Sequence, residues 1–309
     1  LSAPDGSGGA EPGGAPEILV IGDVMIDVQV RPHGPPVRGS DRAATIRLAP
    51  GGSGANQAAW LGTLGARVAM AGRVGAADRE GQEAALRRHG VLPLLAGDAE
   101  LPTGMLIARI DPDGERSFFT DRGANAALRR EDLPDALLAR LRLLHVCGYA
   151  LFAPGPRAAV CAFAAAAAAQ GVPWTVDAAS AGFLEASGPA AFLSWTAGAD
   201  TLFANVDEAA LLAGTADPAA QLAALGAHYR CVAVTRGAAG AQAVVRGGPP
   251  RAAPAPAVAA RDTTGAGDAF LAGFLRARLA GAPLAACLAA GVELGARAAG
   301  LQGGRPPAA

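Results

Sequence analysis

Residues 262–268, DTTGAGD, set two carboxylates around a turn of small residues near the C-terminal end of a 309-residue chain. The stretch that follows, LAGFLRARLA, has helical spacing. A helix N-terminus leaves backbone N–H groups unpaired and carries the positive end of the macrodipole. With Gly265, Ala266 and Gly267 at that point, an anion such as a phosphate can come close to the donors. Asp268 follows at once, and a carboxylate facing a phosphate would repel it. The conflict disappears if Asp268 faces a hydroxyl. It then takes the proton as that hydroxyl attacks phosphorus, while the N–H groups hold charge on the transferring group. An ordinary capped turn, with Asp favourable in the first helical turn, has the same residues, so the segment alone leaves both readings open.

The rest of the chain narrows the field. All 26 cationic side chains are Arg, and Lys is absent. That excludes a Walker-type phosphate loop, a protein-kinase strand lysine and Schiff-base chemistry, each of which needs a Lys. A net charge of −1 argues against a nucleic-acid surface or a polybasic membrane anchor. Cys147, Cys161, Cys231 and Cys287 form no C-x-x-C pair and have no zinc spacing with His, which reads as buried thiols in a reducing, cytoplasmic setting. His33, His89, His145 and His228 are likewise isolated in the sequence. No apolar run is long enough to span a membrane. Residues 1–16, rich in Gly, Pro and Ser, read as a disordered leader.

A single domain over 17–309 must position the acidic turn. Its 51% hydrophobic content supplies a sizeable core. ILVI (18–21) is an apolar strand, followed by a Gly22-Asp23 turn and an alternating run through Ile26, Val28 and Val30. ATIRL (44–48) is a further strand, GANQAAWLGTLGA a helix, VAMAGRVG a buried strand and EGQEAALRRHG a helix stopped by Gly90. Two alternating runs around DPDGE make a hairpin over 104–121. From Leu137 onward strands and helices alternate, which implies a parallel sheet covered on both faces. The strands at about 24–48 and 104–121 are surplus to that sheet and are expected to form a small β-sheet lid over its strand ends. In such a sheet ligands bind where strand ends enter helices. Four polar segments fall there: residues 22–27, GGSGAN (51–56), NVDE (205–208) and the acidic turn.

GGSGANQAAWLGTLGA and DTTGAGDAFLAGF together resemble the two signatures of the ribokinase-like (PfkB) carbohydrate kinases. NVDE is similar to that family's N-x-x-E, and TRGAAG (235–240) to its T-x-G-x-x-G nucleotide segment. The resemblance runs from about Ile18 to about Gly303 with the motifs in the family's order. It implies a three-layer α/β/α sandwich with a mainly parallel sheet and a small β-sheet lid. It implies transfer of the ATP γ-phosphate to a hydroxymethyl group of a small carbohydrate. In that role Asp268 resembles the general base and the backbone of Gly265, Ala266 and Gly267 the anion hole. Asp27, Gly51, Gly52 and Asn56 match sugar-binding positions, with Asp23 beside them. Arg122, just before a second GAN, is placed to reach the acceptor from the lid. Asn205 and Glu208 resemble residues that contact ATP phosphates and organise Mg²⁺, Glu208 through water. Thr235, Gly237 and Gly240 match nucleotide-binding positions. Asp262 and Thr264 resemble positions near a monovalent-cation (K⁺) site in some members. Several relatives pair as homodimers through their lids, which an exposed apolar lid face would favour.

The acceptor is less defined. Ser53 stands where ribokinases proper often carry Lys, and Met25 where they carry Asn, while GDVMID is closer to heptose-phosphate kinases and assorted sugar kinases. Loss of a polar contact alters discrimination among sugars. A nucleoside kinase of the same family is placed second, because aromatics make up only 5% of the chain and none adjoins Asp27 or Asn56. A sugar- or nucleotide-binding regulator without activity is the third reading, opposed by the intact base and cradle.

Overall fold

The computed structural model describes residues 15–35, 37–110 and 116–307. Residues 1–14 of the expected leader and the DPDGE turn (111–115) lie outside the described residues.

Strand β1 (Ile18–Ile21) is buried along its whole length, as an uninterrupted apolar run in a two-sided sheet should be. β2 (Met25–Pro32) and β3 (Ala44–Gly51) follow, then helix α1 (Ser53–Thr63), β4 (Val68–Gly75), α2 (Arg79–Arg87) and β5 (Val91–Asp98). β6 (Gly104–Ile110) and β7 (Arg116–Asp121) precede the alternating half. That half comprises β8 (Leu143–Val146), α3 (Pro154–Ala169), β9 (Trp174–Asp177), α4 (Ala181–Ser187), α5 (Pro189–Trp195), β10 (Thr201–Asn205), α6 (Val206–Ala213), α7 (Pro218–His228) and β11 (Cys231–Thr235). β12 (Ala241–Val245), β13 (Arg251–Ala253), α8 (Ala266–Leu279) and α9 (Leu284–Ala299) complete the strands and α-helices of the described residues.

The large sheet has the order β13-β12-β11-β10-β9-β8-β1-β4-β5, parallel from β11 to β5 and antiparallel at β12 and β13. Alternate residues of β1 feed two cores. Leu19 and Ile21 join Val160, Phe163, Leu212 and Leu222 on the face of α3 to α7. Ile18 and Val20 join Leu61, Leu86, Phe274 and Leu288 on the face of α1, α2, α8 and α9. The result is the expected three-layer sandwich. Among the described residues no helix is long and apolar enough to cross a membrane. The four cysteines are unpaired.

β5 is a strand not expected from the sequence, and it carries Pro93. It lies at the edge of the sheet, the position at which a strand tolerates proline.

The smaller sheet has the order β3-β2-β6-β7 and mixes parallel and antiparallel pairs. Its register sets Met25 between Gly51 and Gly104, so the ends of three strands meet beside the β1 terminus and the start of α1. Ile46, Leu48, Phe118 and Phe119 are exposed on this sheet.

Candidate active site

A cleft of about 340 Å³ opens beyond the carboxyl ends of the parallel strands, where the smaller sheet, α1 and α8 converge. Asp268 lies in the first turn of α8 and faces the first turn of α1. Its Oδ1 accepts the Ser53 hydroxyl at 2.5 Å and Gln57 Nε2 at 3.0 Å, and its Oδ2 accepts Asn56 Nδ2 at 3.2 Å. Residues 53, 56 and 57 share one helical face, so a single turn of α1 supplies all three donors. Burial, the largest influence, pushes the carboxyl up to about 8. Asp177 and Asp23 push in the same direction, against the Ser53 and Asn56 hydrogen bonds. A carboxylate with that environment suits general-base work near neutral pH.

The turn before Asp268 is built by close approach. Gly265 has φ +75°, and a Cβ there would lie 2.5 Å from Gly304 Cα. Gly304 belongs to a C-terminal arm that passes beneath the turn. Its carbonyl accepts Trp60 Nε1 at 2.9 Å, and the Gly303 N–H donates to Asp262 Oδ2 at 3.1 Å. Asp262 Oδ1 accepts the Thr264 N–H at 3.0 Å, so this carboxylate ties the turn to the arm. Gly267 is the opposite case, for a Cβ there would project into open space of the cleft. Of the three amides expected as an anion hole, that of Ala266 donates to the Thr263 carbonyl at 3.2 Å.

At the end of the cleft beside the smaller sheet, Asp23 is buried and accepts the Gly54 N–H at 3.0 Å and Arg122 Nη1 at 3.3 Å. Arg122 also lies over the Tyr149 ring, 4.9 Å from its centroid. Asp27 Oδ1 is buried without a hydrogen-bond partner. Burial chiefly raises this carboxyl to about 6, Arg305 opposing. An orphaned buried acceptor of this kind is stabilised by a hydroxyl brought by a ligand. Gly51 makes room for it, since a Cβ there would sit 2.0 Å from Asp27 Oδ1. Gly51 O accepts Arg305 Nη2 at 2.9 Å and Asn56 Oδ1 accepts Arg305 Nε at 3.3 Å. Gly52 lines the cleft directly.

On the other side, Asn205 and Glu208 form a reciprocal cap on α6. Asn205 Oδ1 accepts the N–H groups of Asp207 and Glu208, and Glu208 Oε2 accepts the Asn205 N–H at 2.8 Å. Both side chains also line the cleft, with Thr235 and Thr264. Gly237 and Gly240 do not line it; they shape the tight turn between β11 and β12.

Several residues of the site were not singled out in the sequence. Ser53 and Gln57 follow from their helical spacing with Asn56. Asp177 is the last residue of β9 and Tyr149 follows β8, at the strand ends where loops build sites. Phe183 on α4, His145 in β8 and Arg305 on the arm have no local signal. Tyr149 and Phe183 meet edge to face, 5.8 Å between centroids, and both line the cleft. An aromatic wall is therefore present, although no aromatic adjoins Asp27 or Asn56 in sequence.

The pfkB family carbohydrate kinase pattern spans residues 15–308, and the chain belongs to that family. It is 32% identical to a fructokinase of Klebsiella pneumoniae, over 84% of this chain and 83% of that one. Among solved structures, a probable sugar kinase from Rhizobium etli matches with TM-score 0.84 and 26% identity, covering 94% of each chain. An adenosine kinase from Sinorhizobium meliloti matches with TM-score 0.82 and 27% identity, over 95% of this chain and 96% of that one. The protein is a phosphotransferase acting on an alcohol acceptor, and its family carries out ATP-dependent transfer to hydroxyls of small carbohydrates or nucleosides.

The two glycines of the turn separate structure from ligand. Gly265→Ala is expected to cost about 1–3 kcal/mol through strain at positive φ and the Gly304 contact. Gly267→Ala, with nothing to clash against, stays within about 1 kcal/mol of the parent. Chemical denaturation checks both, and equal losses would contradict the packing of the arm against the turn.

Proposed function

We propose that the chain is a nucleoside kinase, transferring the ATP γ-phosphate to a hydroxymethyl group of an acceptor with a polyol head and a flat, apolar substituent. The observation that carries this reading is the Tyr149–Phe183 wall in the same cleft as the orphaned Asp27 oxygen. Asp23, Asp27 and Asn56 suit hydroxyls, while two rings set edge to face suit a heteroaromatic base. This reverses the order favoured by sequence alone, since distant segments supply the rings. A free sugar is the second reading, favoured by the same carboxylates and by the fructokinase relative.

In this reading Asp268 takes the acceptor proton as the hydroxyl attacks in line. Ser53, Asn56 and Gln57 hold the carboxylate toward that hydroxyl. The open face above Gly267 admits the phosphoryl group to the α8 terminus. Closure of the smaller sheet excludes water, which otherwise competes as acceptor. Asn205, Glu208 and Thr235 flank the nucleotide end. Glu208 fits a role beside Mg²⁺, since burial, with Asp177 and Asp207 adding to it, raises its carboxyl to about 7 against the Asn205 hydrogen bond. Among the described residues no three His, Cys, Asp or Glu side chains group to hold a metal alone, so water and ATP phosphates would complete its shell. When bound, Mg²⁺ supplies charge neutralisation on the phosphates. A K⁺ near Asp262 and Thr264 would act on the turn rather than on the reacting atoms.

Because Asp268 must be ionised to act, kcat/KM should rise with pH and level off above about 8. Asp268→Asn should lower kcat about 10²–10⁴-fold with ATP affinity retained. The folded carboxyl sits above its ordinary value of 3.8, so its stability contribution is full in acid and is lost as pH rises through about 8. The Asn variant should therefore melt higher than the parent at pH 8; unchanged turnover would remove Asp268 from the mechanism.

Coupled ADP release across adenosine, other nucleosides, ribose and fructose tests the acceptor. The expected result is a nucleoside response whose KM rises about tenfold or more in Phe183→Ala, in line with the loss of an aromatic contact. A response to free sugar alone, indifferent to Phe183, would promote the second reading. The exposed Ile46, Leu48, Phe118 and Phe119 support pairing of two smaller sheets. Light scattering should then give twice the chain mass, and a monomer at micromolar concentration would remove that part of the proposal.

A further inference from the structure

His145 is fully buried in β8, far from any motif, yet its ring is engaged on both nitrogens. Nδ1 lies 2.8 Å from the hydroxyl of Thr175, its register partner on β9. Nε2 lies 3.0 Å from Gln57 Oε1 and 3.4 Å from Asp177 Oδ2. Gln57 in turn sends Nε2 to Asp177 Oδ2 at 2.6 Å and to Asp268 Oδ1 at 3.0 Å.

The proton positions follow by elimination. An amide oxygen turned toward two carboxylates would be repelled, so Gln57 must present its NH₂ to them and its oxygen to His145. An oxygen accepts only if the ring carries its proton on Nε2. In the neutral ring Nδ1 is then an acceptor, and the Thr175 hydroxyl is its donor. Donors run in one direction, from Thr175 through His145 and Gln57 to the carboxylates. Without the Nε2–H only the two carboxylates orient the Gln57 amide, its buried oxygen loses its donor, and the side chain is freer to swing its NH₂ away from Asp268.

We infer that His145 is a positioning residue, which locks the Gln57 amide so that a neutral donor separates Asp177 from Asp268 and keeps the base ionisable. The inference rests on the reading of Asp268 as the base. The titratable groups that bear on Asp268 are Asp177 at the end of β9, Asp23 in the turn after β1, and Cys147 after β8. Those set against His145 reduce to Asp177, with the Phe203 ring at its edge, 6.3 Å between centroids. Losing the Gln57 donor therefore leaves Asp268 facing two acids with less compensation, and its ionisation moves to higher pH.

The test is the pH profile of kcat/KM with the best acceptor found, for the parent, His145→Phe, His145→Gln and Asp268→Asn. In His145→Phe the midpoint should move up by about one pH unit, so kcat/KM at pH 7 falls about tenfold while the alkaline plateau stays within about threefold. His145→Gln, which keeps a donor at the Nε2 position, should restore the parent midpoint. A uniform loss with an unmoved midpoint in His145→Phe would overturn the inference and leave a packing role. Asp268→Asn with the parent's profile would instead overturn the base itself, so the two failures are distinct. Should His145→Phe not fold, ¹⁵N NMR of the parent imidazole decides. A neutral ring protonated on Nε2 is expected, and an Nδ1–H tautomer would overturn the inference.

Discussion

A partly buried carboxylate set beside two other carboxylates is the constraint on which this site depends. Asp268 would be expensive to ionise at that position without the three donors that one turn of α1 turns toward it. That requirement fixes how closely the starts of α1 and α8 must approach. It also explains why a strand residue as remote as His145 is engaged with α1. Full satisfaction of Asp268 would give an inert buried acid, and too little would keep it protonated. A value near 8 lies between those limits.

The approach of the two helices is maintained by the C-terminal arm as much as by the core. Trp60 on α1 holds the Gly304 carbonyl, Gly304 packs beneath Gly265, and Asp262 binds the Gly303 and Thr264 amides. Arg305, next along the arm, fixes Asn56 through its oxygen, which leaves the Asn56 amide for Asp268. In the proposed mechanism the acceptor contacts and the base thus share one residue, Asn56. A change in the arm would reach both.

Legibility in the sequence follows the range of the interactions. The acidic turn, the GGSGAN helix start and the N-x-x-E cap are local, and each carries its own signature in a few adjacent residues. The sheet was legible for the same reason, because β1, β4 and β11 are apolar runs with flanking turns. β5 was not, since Pro93 argues against a strand until its edge position is known. Tyr149, Phe183 and Arg305 reach the site from segments with no periodicity or motif of their own, and only the fold brings them there. His145 is the clearest case: a lone histidine in an apolar strand looks inert until its neighbours on β9 and α1 are seen. Residues whose motifs mark the family were therefore readable, whereas those to which we assign acceptor selection and tuning of the proposed base were not.

The proposed mechanism turns on the ionisation of one side chain, which can be measured without a substrate. A ¹³C NMR titration of the aspartate carboxyls, with Asp268→Asn to assign the resonance, reads it directly. A midpoint near 8 is the predicted result. A midpoint near the ordinary value of 3.8 would contradict the account, because Asp268 would then be a solvated helix-cap acid rather than a buried base.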